Sequence, residues 1–145
     1  MRLIKKKIQL ILVLTVVLCV SCSNDEGIAE VNLNGTVLGV SFEAVGGNAL
    51  TEGNNLLITI SNETTNCNSD ISSHSAYLFF EVPNGTGPYV DITLTFSGAG
   101  NTSVEYSSAT VIITAIKENS VSGQIVANYN DDNSVEGNFI VAYCE

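Results

Sequence analysis

The chain of 145 residues has no tryptophan, a single histidine (His74), and only two prolines, Pro83 and Pro88. Lacking tryptophan, it has lost the side chain best suited to stacking on sugar rings, which weakens a glycosidase reading. Helical periodicity is missing too, so no helix is available for a phosphate-cradling glycine loop to open. Basic residues nearly vanish after residue 22, where Lys117 stands alone against fifteen carboxylates. Phosphate backbones and anionic headgroups are repelled by such a surface, which argues against nucleic-acid binding and electrostatic membrane docking. Finally, the apolar run Ile8 to Val20 is about thirteen residues long. That is short of the roughly twenty a spanning helix requires.

What precedes and follows that run gives it a meaning. Arg2, Lys5, Lys6 and Lys7 come before it, and Leu18-Cys19-Val20-Ser21-Cys22 ends it. A basic patch, an apolar core and a small residue are the layout of a secretory signal. Ser21 directly before Cys22 is how a bacterial lipoprotein signal ends, so Cys22 is expected to become the acylated first residue. Cleavage before Cys19 would instead put bulky Leu18 beside the cut. The expected organisation is a signal peptide over 1–21, the lipidated cysteine and a short tether over 22–28, and one all-β domain over 29–145. Lipidation at Cys22 makes the membrane a partner through the anchor, since two or three acyl chains hold a protein stably. The scattered acids read as solubility outside the cell.

Cys19 leaves with the signal and Cys22 is lipidated, which leaves Cys67 and Cys144 in an oxidising compartment. A disulfide between them would close a loop of about 77 residues, worth on the order of 4 kcal/mol by chain entropy. The other option, a metal or nucleophile pair of a cysteine with His74, needs a third partner the chain does not offer.

Strand-like alternation runs through nearly all of 29–145. Ala76 to Val82 puts Leu78, Phe80 and Val82 on one face, with Tyr77, Phe79 and Glu81 on the other. Tyr89 to Phe96 does the same with Val90, Ile92, Leu94 and Phe96, and Pro83-Asn84-Gly85-Thr86-Gly87-Pro88 turns between the two. Leu56 to Ser61 is a further strand, and Thr36 to Leu50 is a strand pair or one bent strand broken near Gly39 and Gly46-Gly47. Thr110 to Lys117, Val121 to Tyr129 and Val135 to Tyr143 form a meander. Within it Val121, Gly123, Ile125, Ala127 and Tyr129 share a face, as do Val135, Gly137, Phe139, Val141 and Tyr143. Gly123 and Gly137 interrupt these rows and suggest bulges or sharp coiling. The fold expected is a single antiparallel β-sandwich or flattened barrel of seven to eight strands. Leu78, Phe80, Val82, Val90, Ile92, Leu94, Phe96, Phe139 and Val141 are its expected core.

Ser23-Asn24-Asp25-Glu26, an acidic tail after a lipidated cysteine, resembles the surface-export signal of Bacteroidota lipoproteins. The body is similar to small β domains common in that family. The stretches that carry the likeness are Gly39-Val40-Ser41-Phe42-Glu43-Ala44, Gly87-Pro88-Tyr89, Val121-Ser122-Gly123 and Glu136-Gly137-Asn138-Phe139. The resemblance implies an all-β fold and the bacterial outer membrane, facing the cell surface. It carries over no catalytic residue.

The residues themselves offer little chemistry. His74 lies in the polar segment Asn62 to Ser75 beside Ser72, Ser73, Ser75 and Asp70, and reads as an exposed loop histidine, because sequence neighbours in a loop do not make a triad. Asp131, Asp132 and Asn133 offer hard oxygen ligands, yet they miss the EF-hand spacing and fit a hairpin turn. No cofactor is expected. The first reading is therefore a non-catalytic lipoprotein whose β domain binds a glycan or a protein partner. The alternative is a small hydrolase acting on glycans through paired carboxylates, which would need an open cleft with the two groups about 5 to 9.5 Å apart and one pKa raised. Tyr77 and Phe79, with Glu81 beside them, are the candidate ligand platform unless the segment Asn62 to Ser75, pinned by Cys67, folds over them.

Overall fold

The alternating pattern resolves into nine strands in a computed structural model that describes residues 32–144. Cys22, the expected signal and tether, and the ends of the 29–145 domain lie outside the described residues. The strands are β1 (Asn34–Val37), β2 (Val40–Glu43), β3 (Gly46–Glu52), β4 (Asn55–Ser61), β5 (Ala76–Pro83), β6 (Gly87–Gly98), β7 (Thr102–Lys117), β8 (Ser120–Asn130) and β9 (Asn133–Cys144). Their order is β2-β1-β9-β3-β4-β5-β6-β7-β8, and β8 pairs back onto β9. Seven strands, β3 through β9, thus close into a barrel, and the β1–β2 hairpin is added outside the ring. Every strand pairing is antiparallel except β3 with β9, which run parallel through Asn48↔Ala142, Ala49↔Tyr143 and Leu50↔Cys144. β9 serves two neighbours on that side, because its first residues, Ser134 to Glu136, pair with β1 instead.

A barrel this narrow has room only for its own side chains. Leu56, Ile58, Leu78, Phe80, Leu94, Phe96, Val111, Ile125 and Phe139 fill it, all buried. The Phe80 and Phe139 rings meet edge to face with centroids 6.0 Å apart, the arrangement aromatic quadrupoles favour. Phe139 stands directly across from Gly123, and a Cβ there would run into the Ile112 carbonyl and the Phe139 ring. Gly123 is therefore a site of close approach. The β8–β9 ladder passes through it and through Gly137 without a break. The β7–β8 ladder, however, shifts register between Ile113, the partner of Gly123, and Ala115, so one bulge lies against Gly123 as expected. The barrel's other bulges lie elsewhere.

One of them corrects the expected core. Between Tyr89 and Ile92 the β6–β7 register shifts, and Asp91 sits at φ 55°. One extra residue reverses the side-chain parity of everything before it. Tyr89 turns inward to pack on the core, and Val90 turns out, 67% exposed. Ile92 is half-buried, while the other expected core residues are buried as predicted.

The break expected near Gly39 is a two-residue hairpin, with Leu38 at φ 50° and Gly39 at φ 78°. This turn requires positive φ twice, which suits glycine and strains leucine. A buried amide holds it in place: the Leu38 N–H donates to Asn133 Oδ1 at 3.0 Å, and the Gly39 N–H donates to the Asp132 carbonyl at 2.9 Å. Asn133 is only 4% exposed, and its Nδ2 donates to Asn130 Oδ1 at 3.2 Å. Replacing Asn133 by Ala leaves a strained N–H without its acceptor. Urea denaturation should show a loss of about 2 kcal/mol, and Asn133→Asp, which keeps the acceptor, should lose less.

Candidate functional site

Two regions bear on function: the outer face of β4 to β7, and the segment between β4 and β5. On the outer face, strand register sets the neighbours. Thr59 pairs with Phe79, Phe79 with Thr95, and Thr95 with Glu105, so the four form one cross-strand row. In the next row Glu81 pairs with Leu57, and its Oε1 accepts a hydrogen bond from Asn55 Nδ2. Here Phe79, Glu81, Asp91, Thr93 and Glu105 help to line an open groove of about 520 Å³. Phe79 points outward as the alternation predicts, with 38% of its surface exposed. Tyr77 points the same way but is half-buried. Asp91, which alternation places on the outer face with Thr93 and Thr95, lines the groove beside them.

The segment between β4 and β5 does not cover this groove. Cys67 and Cys144 form the expected disulfide, with Cα atoms 5.6 Å apart. Cys144 pairs with Leu50 of β3, so the bridge draws the segment toward the β3–β9 seam, where Thr65 and Glu63 lie against Gly46. Phe79, two strands away, is left open.

His74 departs from its expected exposure. It is buried, with 9% of its surface accessible, and its Nδ1 shares a 2.6 Å hydrogen bond with Ser61 Oγ. A short 3₁₀ turn, Ile71–Ser73, capped by Asp70, folds the histidine back onto the end of β4. Burial of a polar ring demands such a partner, and the partner is a strand residue rather than the neighbouring Ser72, Ser73 or Ser75. Ser61 also accepts from the Glu63 N–H at 3.1 Å, and it is fully buried. The pair is a buried clasp that ties the segment between β4 and β5 to the end of β4.

The two carboxylates flanking this clasp are both held below the usual range. For Glu63 the main cause is the Ser75 N–H, aided by the His74 charge and the Ser75 hydroxyl and opposed by desolvation. For Asp70 the Ser72 hydroxyl leads, then the Ser72 N–H; desolvation opposes them and the His74 charge adds a smaller lowering. A general acid needs the opposite displacement.

The turn residues Asp131, Asp132 and Asn133 are not brought together as ligands. Asp131 and Asp132 are exposed, while Asn133 is buried and bonded as described. Among the described residues no group of three His, Cys, Asp or Glu side chains is placed to hold a metal ion. The part Asn133 plays was not read from the sequence. Its signal is the Asn130–Asn133 spacing across a two-residue turn, where amide side chains commonly bond local backbone.

The molecule is thus a side-chain-filled β-barrel with open grooves on its exterior. Comparison with family models, curated proteins and solved structures yields no match to the chain.

Proposed function

We propose that this protein is a lipoprotein anchored through Cys22 in the bacterial outer membrane, exposed at the cell surface or facing the periplasm. Its barrel is a non-catalytic binding domain for a glycan or a protein partner, with Phe79 and Glu81 as the contact. The observation that carries this reading is an exposed aromatic ring beside an oriented carboxylate, in a groove on the outside of a barrel whose interior is full. Phe79 shares this groove with Pro83 and Ile92, and contiguous apolar surface rimmed by polar groups is the kind that marks a contact site. The exported character of residues 1–26 and the Cys67–Cys144 bridge support the location. The hydrolase alternative has three carboxylates, Glu81, Asp91 and Glu105, on the same open groove. The two whose pKa the fold displaces, Glu63 and Asp70, lie elsewhere, beside the buried Ser61–His74 pair, and are lowered rather than raised.

Two variants of the full chain test the reading. Phe79→Ala should weaken retention on immobilised glycans or cell-envelope proteins at least tenfold, with a melting temperature close to that of the native protein. A large fall in melting temperature would show that the ring is core and remove it as a contact. Cys22→Ala should release the protein from membranes, and retention of that variant after a high-salt wash would overturn the anchor.

A further inference from the structure

Tyr129 is expected among the inward residues of β8, in line with Val121, Ile125 and Ala127. It is instead 49% exposed. The cause is a break in the β8–β9 ladder: Asn128 pairs with Ser134 and Asn130 with Asn133, leaving Tyr129 as the extra residue of a bulge. Bulges re-aim a side chain at the cost of a ladder position. The re-aimed ring does not lie loose. It packs on Tyr106 of β7, with centroids 5.5 Å apart and planes inclined at 39°, beyond Thr110↔Val126, the first pair of the β7–β8 ladder.

Around this propped ring the polar groups are already oriented. An open groove of about 440 Å³ is lined by Tyr129, Asn128, Asn130, Asp131 and Ser134 among others. Asn128 Oδ1 accepts from Ser134 Oγ at 2.7 Å. Asn130 Oδ1 accepts from the Asp132 N–H at 3.1 Å and from Asn133 Nδ2. Both amide oxygens are therefore engaged, and both Nδ2 groups are left without a hydrogen bond among the described residues. Asp131, exposed at the turn, adds a carboxylate acceptor.

We infer that this groove is a binding site for neutral glycans. A pyranose presents an apolar C–H face suited to an aromatic ring and vicinal hydroxyls suited to paired donors and acceptors. Tyr129 supplies the ring, Asn128 and Asn130 the donors, and Asp131 the acceptor. Small polar-ligand sites need few such groups, provided they are fixed beforehand. Charge narrows the class. Lys117 is the only basic residue after Cys22, so uronate and sulfated sugars meet no cation and a repelling field. The site is separate from the Phe79 groove and does not depend on it.

The test uses the full chain and calorimetric titration with hexasaccharides of glucose, xylose, mannose and galactose, with polygalacturonate and heparin as anionic probes. Saturable binding of at least one neutral hexasaccharide, with weaker or no binding of the anionic probes, is expected. Tyr129→Ala should weaken that binding at least tenfold, Tyr129→Phe should largely retain it, and Asp131→Lys should weaken it. Val40→Ser, at an exposed position of β2 that lines neither groove, should leave it unchanged. Circular dichroism should show each variant folded, since Tyr129 and Asp131 are exposed. Failure of every neutral hexasaccharide to bind, a preference for heparin or polygalacturonate, or undiminished binding by folded Tyr129→Ala would each overturn the site. Loss of binding in Phe79→Ala together with undiminished binding in Tyr129→Ala would place the glycan in the other groove and overturn this site.

Discussion

Reducing the Cys67–Cys144 bridge, or replacing both residues by serine, should lower the melting temperature by roughly 15 °C. The bridge joins residues 77 apart in sequence. Cross-linking over that span removes about 4 kcal/mol of chain entropy from the unfolded ensemble. For a domain of this size each kcal/mol corresponds to about 4 °C. A second loss accompanies it, because the segment between β4 and β5 is drawn to the β3–β9 seam by this bond, and that seam has only three paired positions. Differential scanning calorimetry with and without reductant measures the change. A shift of a degree or two would mean that the seam and the Ser61–His74 clasp hold the segment unaided.

Phe139→Ala should destabilise the barrel by about 3–5 kcal/mol, the range for removing a buried phenylalanine. Three losses coincide at this residue. A large ring is withdrawn from the closed interior. Its edge-to-face partner Phe80 is left facing a void. Gly123, which has no side chain to move into the space, loses the ring that covers it. Gly123→Ala does not compensate, because its Cβ also meets the Ile112 carbonyl of the adjacent strand. Chemical denaturation of Phe139→Ala, alone and with Gly123→Ala, gives both values, and a double variant more stable than Phe139→Ala would contradict this account.

Much of the barrel was legible in the sequence because a strand writes its two faces at every second residue. The Leu78-Phe80-Val82 row, the Leu94-Phe96 row, the proline-flanked turn and the C-terminal meander follow from that rule. The Cys67–Cys144 pairing was legible from the two cysteines that stand beyond residue 22. The parity rule fails wherever one residue is inserted, and that explains the errors in facing at Tyr89, Val90 and Tyr129. Val90 and Tyr129 each stand beside or within a bulge, and nothing in local composition marks either insertion. Exposed Phe79 was legible for the converse reason: β5 carries no register shift against β4 or β6. The burial of His74 was hidden differently. It depends on a 3₁₀ turn folding the loop back onto Ser61, a tertiary contact between residues of ordinary loop and strand composition. The parallel closure of β3 on β9 was equally invisible, since periodicity identifies strands but not which distant strands meet.

That closure has a consequence for how the chain acquires its shape. The strand that completes the ring, β9, is the last of the nine, and it must meet β3 near the beginning as well as β8 beside it. A chain delivered amino-terminus first has every earlier strand in hand and still has no closed wall. Hairpins from β3 to β8 can form locally, but the ring waits on a contact spanning most of the sequence, the kind of non-local pairing that makes folding slow. Until then both rims of the growing sheet, β3 and β8, are open to the wrong neighbour. The interval between delivery of β8 and arrival of β9 is when this protein is most exposed to misassembly.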